Sequence, residues 1–136
     1  MVHIPSGAER RQWKRHKCTI PAVYRIVSGR DRAVKSRRLK CTVEDISVAG
    51  LRINVSNTEA DGLHISGQLH GQGWVANKVE IEFEMPTSPP EKITFLGLVE
   101  WYDREQGAKE VSLGVSVRYL EMSEGDKENL MKFLAT

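Results

Sequence analysis

The sequence is poor in cysteine and has no long apolar run. Cys18 and Cys41 are the only cysteines among 136 residues, and neither belongs to a CxxC pair. We therefore expect two reduced, partly buried thiols, with a structural disulfide as the alternative. No apolar stretch reaches the roughly 20 residues of a membrane-spanning helix, so no membrane insertion is expected. Met1 to Gly7 contains no apolar segment of the kind found in export signals, which predicts a cytoplasmic protein.

Patterned catalytic residues are also missing. The sequence contains no GxSxG, no HExxH and no glycine-rich phosphate loop. The four histidines, His3, His16, His64 and His70, lack a patterned carboxylate or thiol beside them. The spacing of His64 and His70 is not a standard metal-ligand spacing. Carboxylates alternate along one strand-like run and are expected to form a solvated face, at Glu80, Glu82 and Glu84. The sequence therefore predicts no enzyme, no metal site and no cofactor.

Positive charge is concentrated in the first third of the chain. Between Glu9 and Lys40 there are 12 basic and two acidic residues, whereas the remaining 8 basic residues face 16 acidic ones. The net charge of +2 conceals this asymmetry. A positive field at one end of a molecule favours an anionic ligand or surface.

Period-two alternation of apolar residues predicts a mainly β fold. Six segments qualify as strands: Ala22 to Ile26, Arg38 to Val43, Leu51 to Val55, Val79 to Met85, Ile93 to Trp101 and Val111 to Tyr119. Turn signals separate them without intervening helices, which argues for an antiparallel barrel or sandwich. The glycine-rich stretch from Asp61 to Asn77 is expected to be a long connection or an irregular strand pair. Ser123 followed by Asp126 predicts the start of a C-terminal helix that packs its apolar stripe against the barrel.

Two local patterns suggest a binding site. The first is Arg10-Arg11-Gln12-Trp13-Lys14-Arg15, in which Arg11 and Arg15 are spaced as RxxxR. Arginine presents a planar fork of donors that matches phosphate oxygens or the O6/N7 edge of guanine. Since the chain has many arginines, such spacing arises easily by chance, and this pattern by itself favours a solvated basic tail.

The second pattern is a DxSxxG between two strand-like segments, formed by Asp45, Ser47 and Gly50. Asp45 can accept hydrogen bonds from guanine N–H groups, and Ser47 can donate or accept. Gly50 allows the backbone to turn or a ligand to approach closely. The alternative is a hairpin turn in which Asp45 and Ser47 bond their own backbone.

Taken together and in this order, the patterns resemble the PilZ domain family, receptors for the bacterial second messenger cyclic di-GMP. The resemblance extends to Pro21-Ala22-Val23-Tyr24-Arg25 after the arginine motif, to Gly114-Val115-Ser116-Val117 near the end, and to a closing helix over Ser123 to Leu134. It implies a six-stranded antiparallel β-barrel of the split-barrel type with a C-terminal α-helix. Residues 1–9 are expected to be a flexible terminus, and residues 10–136 the single PilZ-like domain.

The resemblance also implies which residues hold the ligand. Arg11 and Arg15 match the two family arginines that contact guanine and phosphate, and Arg10 matches a doubled arginine common in the family. Asp45, Ser47 and Gly50 match the second motif, which holds a guanine from the barrel side. From charge and alternation alone, Arg52 and Arg118 are expected at solvent-facing strand positions, as candidates for further phosphate contacts.

The predicted function is a non-catalytic receptor whose arm, with Trp13, orders on binding cyclic di-GMP and signals to a protein partner. One alternative is a small β-barrel that binds single-stranded nucleic acid, with Trp13 and Tyr24 as stacking platforms. That alternative gives Asp45 and Ser47 no role, so nucleic acid is the less favoured partner. The other alternative is a PilZ-like adaptor that binds protein and no nucleotide.

Overall fold

The computed structural model describes residues 15–105 and 112–135, without the side chains of residues 101–105 and 112. Ten strands and one helix follow one another along the described chain. They are β1 (His16–Val27), β2 (Leu39–Ile46), β3 (Gly50–Val55), β4 (Glu59–Ala60), β5 (Leu63–His64), β6 (Gly67–His70), β7 (Gly73–Ala76), β8 (Lys78–Met85), β9 (Glu91–Glu105), β10 (Ser112–Met122) and α1 (Glu124–Leu134).

Six of the strands close into an antiparallel barrel in the order β1-β2-β3-β10-β9-β8, which confirms the predicted fold class. Alternate side chains fill the barrel because successive residues of a strand point to opposite faces. Val79, Ile81, Phe83 and Met85 of β8 are all buried, as their alternation predicts. The outward carboxylates of β8 are less solvated than expected, since Glu80 and Glu82 pair with lysines and an arginine at 3.0–3.8 Å.

Strand β1 is longer than its apolar alternation predicts, because it begins at His16 rather than near Ala22. The first part of β1 pairs with β2 alone, and pairing with β8 starts only at Ala22. Pro21 has no N–H to donate, and it lies in the part of β1 that faces no β8 partner. Proline is tolerated at such an edge position of a sheet. The extension brings the start of β1 alongside the end of β2, where the DxSxxG turn follows.

The region from Asp61 to Asn77, together with β4 just before it, is organised into two small antiparallel sheets, β4–β5 and β6–β7. Asn77 is fully buried and joins them to the barrel. Its Oδ1 accepts from the Gly29 N–H at 3.0 Å, and its Nδ2 donates to the His64 carbonyl oxygen and the Gln68 Oε1 at 2.8 and 3.1 Å. The expected irregular connection is thus a pair of short hairpins fixed by a buried amide.

Helix α1 begins where the capping pattern predicts. The Ser123 hydroxyl accepts from the Asp126 N–H at 3.1 Å, which satisfies one of the first-turn amides. The Asp126 carboxylate in turn accepts from the Thr94 N–H of β9 at 3.1 Å. Leu130 and Leu134 are buried against the barrel, as predicted for the apolar stripe. No helix within the described ranges has the length and hydrophobicity to cross a bilayer.

Both cysteines are free thiols, as predicted, and the disulfide alternative is wrong. Cys41 is buried and Cys18 is partly buried, with its Sγ 3.6 Å from the Val43 carbonyl oxygen. Burial raises the pKa of Cys41 to about 12. Burial, assisted by the negative charge of Asp45, also raises the pKa of Cys18. Both thiols therefore stay protonated near neutral pH.

Candidate ligand-binding site

The two sequence patterns meet at one end of the barrel. Strand pairing places Lys17 opposite Asp45, and this register brings Arg15 next to the end of β2. The Arg15 Nη1 lies 4.0 Å from the Asp45 Oδ2. The Arg15 side chain is 53% exposed and that of Asp45 is 17% exposed. A half-exposed guanidinium beside a largely buried carboxylate is free to turn toward an anionic ligand.

Ser47 closes the turn between β2 and β3. Its N–H and its hydroxyl both donate to the Gly50 carbonyl oxygen, at 2.8 and 2.9 Å, and its Oγ accepts from the Gly50 N–H at 3.3 Å. Ser47 therefore bonds the backbone of its own turn, as it would in a simple hairpin turn without a ligand-binding role. Asp45 differs from Ser47, because its carboxylate faces the Arg15 guanidinium.

Gly50 is needed for a reason other than the two expected from the sequence. Its backbone is not in the left-handed region, so the turn itself does not require glycine. A β-carbon at position 50 would overlap the carbonyl oxygen of Val117 on the neighbouring strand β10. The group that approaches Gly50 closely is therefore the backbone of β10, and the missing side chain at Gly50 leaves room for that strand.

Sequence reasoning missed Tyr119, which lies beneath the same turn. Its N–H donates to the Ala49 carbonyl oxygen at 3.2 Å, and its ring meets Phe95 edge-on, with ring centroids 4.8 Å apart. Burial, followed by the charges of Asp45 and Cys18, raises the pKa of Tyr119. The phenol therefore stays neutral and remains a donor. Because Tyr119 is one more large residue in an apolar alternation, the sequence gives no sign that it contacts the β2–β3 turn.

A shallow depression of about 120 Å³ opens at this end of the barrel. Its rim combines cations, anions and hydroxyls from four strands, from the β2–β3 turn and from the residue that precedes β1. They are Arg15, Asp45, Ser47, Arg52, Glu100 and Ser116. Small-molecule pockets usually enclose about 300–1,000 Å³, so this depression accommodates part of a ligand and leaves the rest on the barrel surface.

Arg52 and Arg118 occupy different environments, although both were expected to face solvent. The Arg52 side chain is only 20% exposed, lies over Gly114, and has its Nε 3.5 Å from Glu44. The Arg118 side chain is 52% exposed, with its Nε 3.9 Å from Glu100. Arg52 lines the depression, whereas Arg118 does not. Both arginines lie on the outward face of their strands, as expected, and Arg52 is the less exposed of the two because the absence of a side chain at Gly114 lets its guanidinium lie flat on the sheet.

Several predicted features lie outside the described residues. Arg10, Arg11, Trp13 and the terminus of residues 1–9 are among them, so their assigned roles stay predictions. His64 and His70, whose spacing was considered for a metal site, each contact a different residue. His64 Nδ1 lies 2.9 Å from the Ser66 hydroxyl, and His70 Nδ1 lies 3.1 Å from Arg30. Within residues 15–105 and 112–135, no three His, Cys, Asp or Glu side chains cluster as metal ligands do.

Comparison with solved structures places this fold among known ones. The inhibitor of motility from Bacillus subtilis (MotI/DgrA) superposes with a TM-score of 0.58 at 16% identity, over 96% of this chain and 54% of that one. This chain therefore spans about half the length of the Bacillus protein. The PilZ domain of YcgR from Escherichia coli, solved with c-di-GMP, superposes with a TM-score of 0.58 at 16% identity, over 93% of this chain and 89% of that one.

Sequence comparison identifies the family. No curated protein matches the sequence significantly. The model of the PilZ domain, however, matches residues 9–136, which is nearly the whole chain. The barrel, the closing helix and the joined motifs all accord with that match, and the chain belongs to the PilZ domain family.

Proposed function

We propose that this protein is a non-catalytic cytoplasmic receptor for cyclic di-GMP. The observation that carries the proposal is the contact between Arg15 and Asp45 at the rim of the depression. The two residues come from the two separate motifs, and strand pairing alone brings them together. A solvated basic tail would have no reason to end beside the DxSxxG turn. The YcgR domain with the same fold, solved with c-di-GMP, supports the choice of ligand.

Each residue of the site suits a different part of the ligand. Arg15, with Arg11 and Arg10 from the preceding segment, supplies guanidinium forks for phosphate oxygens and the guanine O6/N7 edge. The Asp45 carboxylate accepts from guanine N–H groups, and the tight turn through Ser47 and Gly50 brings main-chain atoms close to the base. Arg52 lies in the same depression and adds positive charge near a phosphate. Since the phosphates are anionic, they replace the carboxylates of Asp45 and Glu44 as the partners of Arg15 and Arg52.

Binding would change the surface of the protein. The half-exposed Arg15 is paired with Asp45 at 4.0 Å, and such an exposed ion pair costs little to break. When the arginines bind the nucleotide, the segment before β1 follows Arg15 onto the barrel, and Trp13 moves with it. The ordered segment then presents a new surface to a protein partner, which is a switch of the order–disorder class.

Calorimetric titration of the full chain tests this proposal. We expect saturable binding of cyclic di-GMP, no comparable binding of GMP, and no binding of a single-stranded oligonucleotide. Affinity that rises with oligonucleotide length and falls steeply with salt would instead favour the nucleic-acid alternative. A chain that binds none of these ligands would be the PilZ-like adaptor.

Substitutions connect the titration to the site. Arg11→Ala and Arg15→Ala are each expected to abolish binding while the barrel stays folded, as judged by circular dichroism. Arg37→Ala is the matched control, because Arg37 also pairs with a carboxylate, that of Asp61, but at the other end of β2. Full affinity in the Arg11 and Arg15 variants would refute the site, even if the ligand is correct.

A further inference from the structure

Two adjacent carboxylates at the end of β2 both point away from the barrel core. In a regular strand, Glu44 and Asp45 would lie on opposite faces. The register between β2 and β3 shifts between Val43 and Asp45, which leaves Glu44 as an extra residue of β2. Such a bulge redirects side chains. Val43 and Ile46 on either side are therefore both buried, while Glu44 and Asp45 both reach the surface, with 31% and 17% of their side chains exposed.

The two carboxylates pair with different arginines. Asp45 lines the depression and lies 4.0 Å from Arg15. Glu44 does not line the depression, but its Oε2 lies 3.5 Å from the Nε of Arg52, which does. Glu44 is therefore placed to affect a ligand in the depression through Arg52 rather than by touching the ligand.

The pair of Arg52 and Glu44 is better shielded from water than the pair of Arg15 and Asp45. The Arg52 side chain is 20% exposed, compared with 53% for Arg15. Its guanidinium lies over Gly114, where a β-carbon would overlap it. Charges that are partly shielded from water attract each other more strongly than exposed charges do. The negative charge of Glu44 therefore offsets part of the positive charge that Arg52 brings to the depression.

A further ion pair near the depression is built in the same way. Strand β9 shifts its register against β10 between Val99 and Trp101, so Glu100 is the extra residue of that strand. Glu100 lines the depression and lies 3.9 Å from the Nε of Arg118. Each of these two bulges thus places an additional carboxylate beside an arginine. Bulges are frequent next to functional sites, where they re-aim side chains.

We propose that Glu44 is an internal competitor of the ligand phosphates, which neutralises part of the charge of Arg52 and so sets the nucleotide concentration at which the site fills. The inference rests on the proposed binding of cyclic di-GMP and adds the regulation of its affinity. A phosphate that binds Arg52 must separate the guanidinium from Glu44 and then lies near a like charge, and both effects oppose binding. Asp45 should act in the opposite direction, because its carboxylate accepts hydrogen bonds from the guanine.

The test is calorimetric titration of the full chain with cyclic di-GMP. Glu44→Gln is expected to raise the affinity by about fivefold, which corresponds to the full strength of a surface ion pair. Asp45→Asn is expected to lower it. Glu80→Gln is the matched control and should leave the affinity unchanged. It removes the same charge from a strand carboxylate of similar exposure that also pairs with an arginine, but Glu80 does not line the depression.

Two further variants show whether Arg52 carries the effect. In an Arg52→Gln background, Glu44→Gln should give no gain in affinity, because the carboxylate then has no guanidinium to neutralise. Glu44→Asp keeps the charge but withdraws it from Arg52 by the length of a methylene group, so it should give a smaller gain. Circular dichroism verifies the fold of each variant, and Glu44→Asp supplies the measurement if Glu44→Gln folds poorly.

Three outcomes of the titration would overturn the proposal. An affinity of Glu44→Gln that is equal to or lower than that of the wild type would show that Glu44 does not compete with the ligand. An equal gain in Glu80→Gln, or a gain that persists without Arg52, would assign the effect to net charge. Thermal unfolding with pyrophosphate at constant ionic strength separates these outcomes from a failure of the nucleotide proposal. If the wild type does not bind cyclic di-GMP, pyrophosphate should still stabilise Glu44→Gln more than the wild type, and equal stabilisation would refute the role of Glu44.

Discussion

The hydroxyl of Tyr119 donates a hydrogen bond to the main-chain carbonyl oxygen of Ser47, 3.0 Å away. This bond ties the last strand of the barrel to the turn that carries the DxSxxG motif. The Tyr119 N–H bonds the same turn at Ala49, so one residue holds the turn at two points. A turn held in this way presents its main-chain groups to a ligand in a fixed geometry, and ligand affinity should depend on the phenol.

Tyr119→Phe tests that dependence. Loss of the hydroxyl is expected to lower the free energy of unfolding by about 1 kcal/mol. It should also lower the affinity for cyclic di-GMP by roughly fivefold, the equivalent of about 1 kcal/mol of lost ordering. Urea unfolding and calorimetry measure the two effects. Tyr24→Phe is the matched control, because the Tyr24 hydroxyl donates to the Asn57 carbonyl oxygen at 2.6 Å, away from the depression. It should lose similar stability at unchanged affinity, and an equal loss of affinity in both variants would contradict the role of Tyr119.

Gly50→Ala should destabilise the barrel. The added methyl group overlaps the Val117 carbonyl oxygen, and β3 and β10 must separate to relieve the overlap. We expect a loss of about 1–3 kcal/mol, the usual cost of overpacking. Gly125→Ala provides the contrast, because a β-carbon there meets no atom within 4 Å in the first turn of α1. It should stabilise the protein by up to about 1 kcal/mol. Thermal unfolding that gives the two variants the same sign of change would argue against this explanation of Gly50.

The buried thiol of Cys41 predicts a loss of stability at alkaline pH. Its pKa is raised from 9.0 to about 12 by burial, so the folded state binds the proton more tightly than the unfolded state does. The resulting stabilisation is complete below pH 9.0 and is lost as the pH rises toward 12. The Tyr24 hydroxyl, with a pKa raised to about 12 chiefly by burial, contributes in the same direction. Melting temperatures measured from pH 7 to 11 should therefore fall above about pH 9. The fall should be shallower in Cys41→Ala, and an equally steep fall would mean that other groups control it.

Asn77→Ala should release the β4–β7 region from the barrel. The amide makes three hydrogen bonds from a fully buried position, and its removal leaves the Gly29 N–H and the His64 carbonyl oxygen without that partner. Hydrogen exchange followed by mass spectrometry should show faster exchange in β6 and β7, with β8 and β10 unchanged. Asn57→Ala, which alters an exposed asparagine, serves as the control. Uniformly faster exchange across the barrel would mean that these hairpins are part of its core.

The sequence predicted the barrel because burial follows alternation wherever one face of a strand is apolar, as in β8. It failed at the start of β1, where His16 to Thr19 have no apolar alternation and pairing with β2 determines the strand. The sequence allowed an irregular strand pair over Asp61 to Asn77 but did not locate the β6–β7 hairpin, for a related reason. Its large apolar residues, Leu69 and Trp74, point to solvent and contribute nothing to a core pattern.

The candidate site was partly predictable. The order of the motifs, together with antiparallel pairing of β1 and β2, is enough to place Arg15 near Asp45. The positions of Arg52 over Gly114 and of Tyr119 beneath Ser47 depend on the register of β10 with β3. That register joins segments far apart in sequence, and no local pattern specifies it.

The order of strands in the barrel also determines how the chain must fold. Four of the six pairs, β1–β2, β2–β3, β8–β9 and β9–β10, join strands that are neighbours in sequence and can form early. The β1–β8 and β3–β10 pairs must wait until long stretches of chain have closed, which costs conformational entropy before any contact compensates it. Folding should therefore take milliseconds to seconds, because the barrel closes only when these two non-local pairs form. Substitutions in β10 should then slow folding, whereas those in the β6–β7 hairpin should leave its rate unchanged.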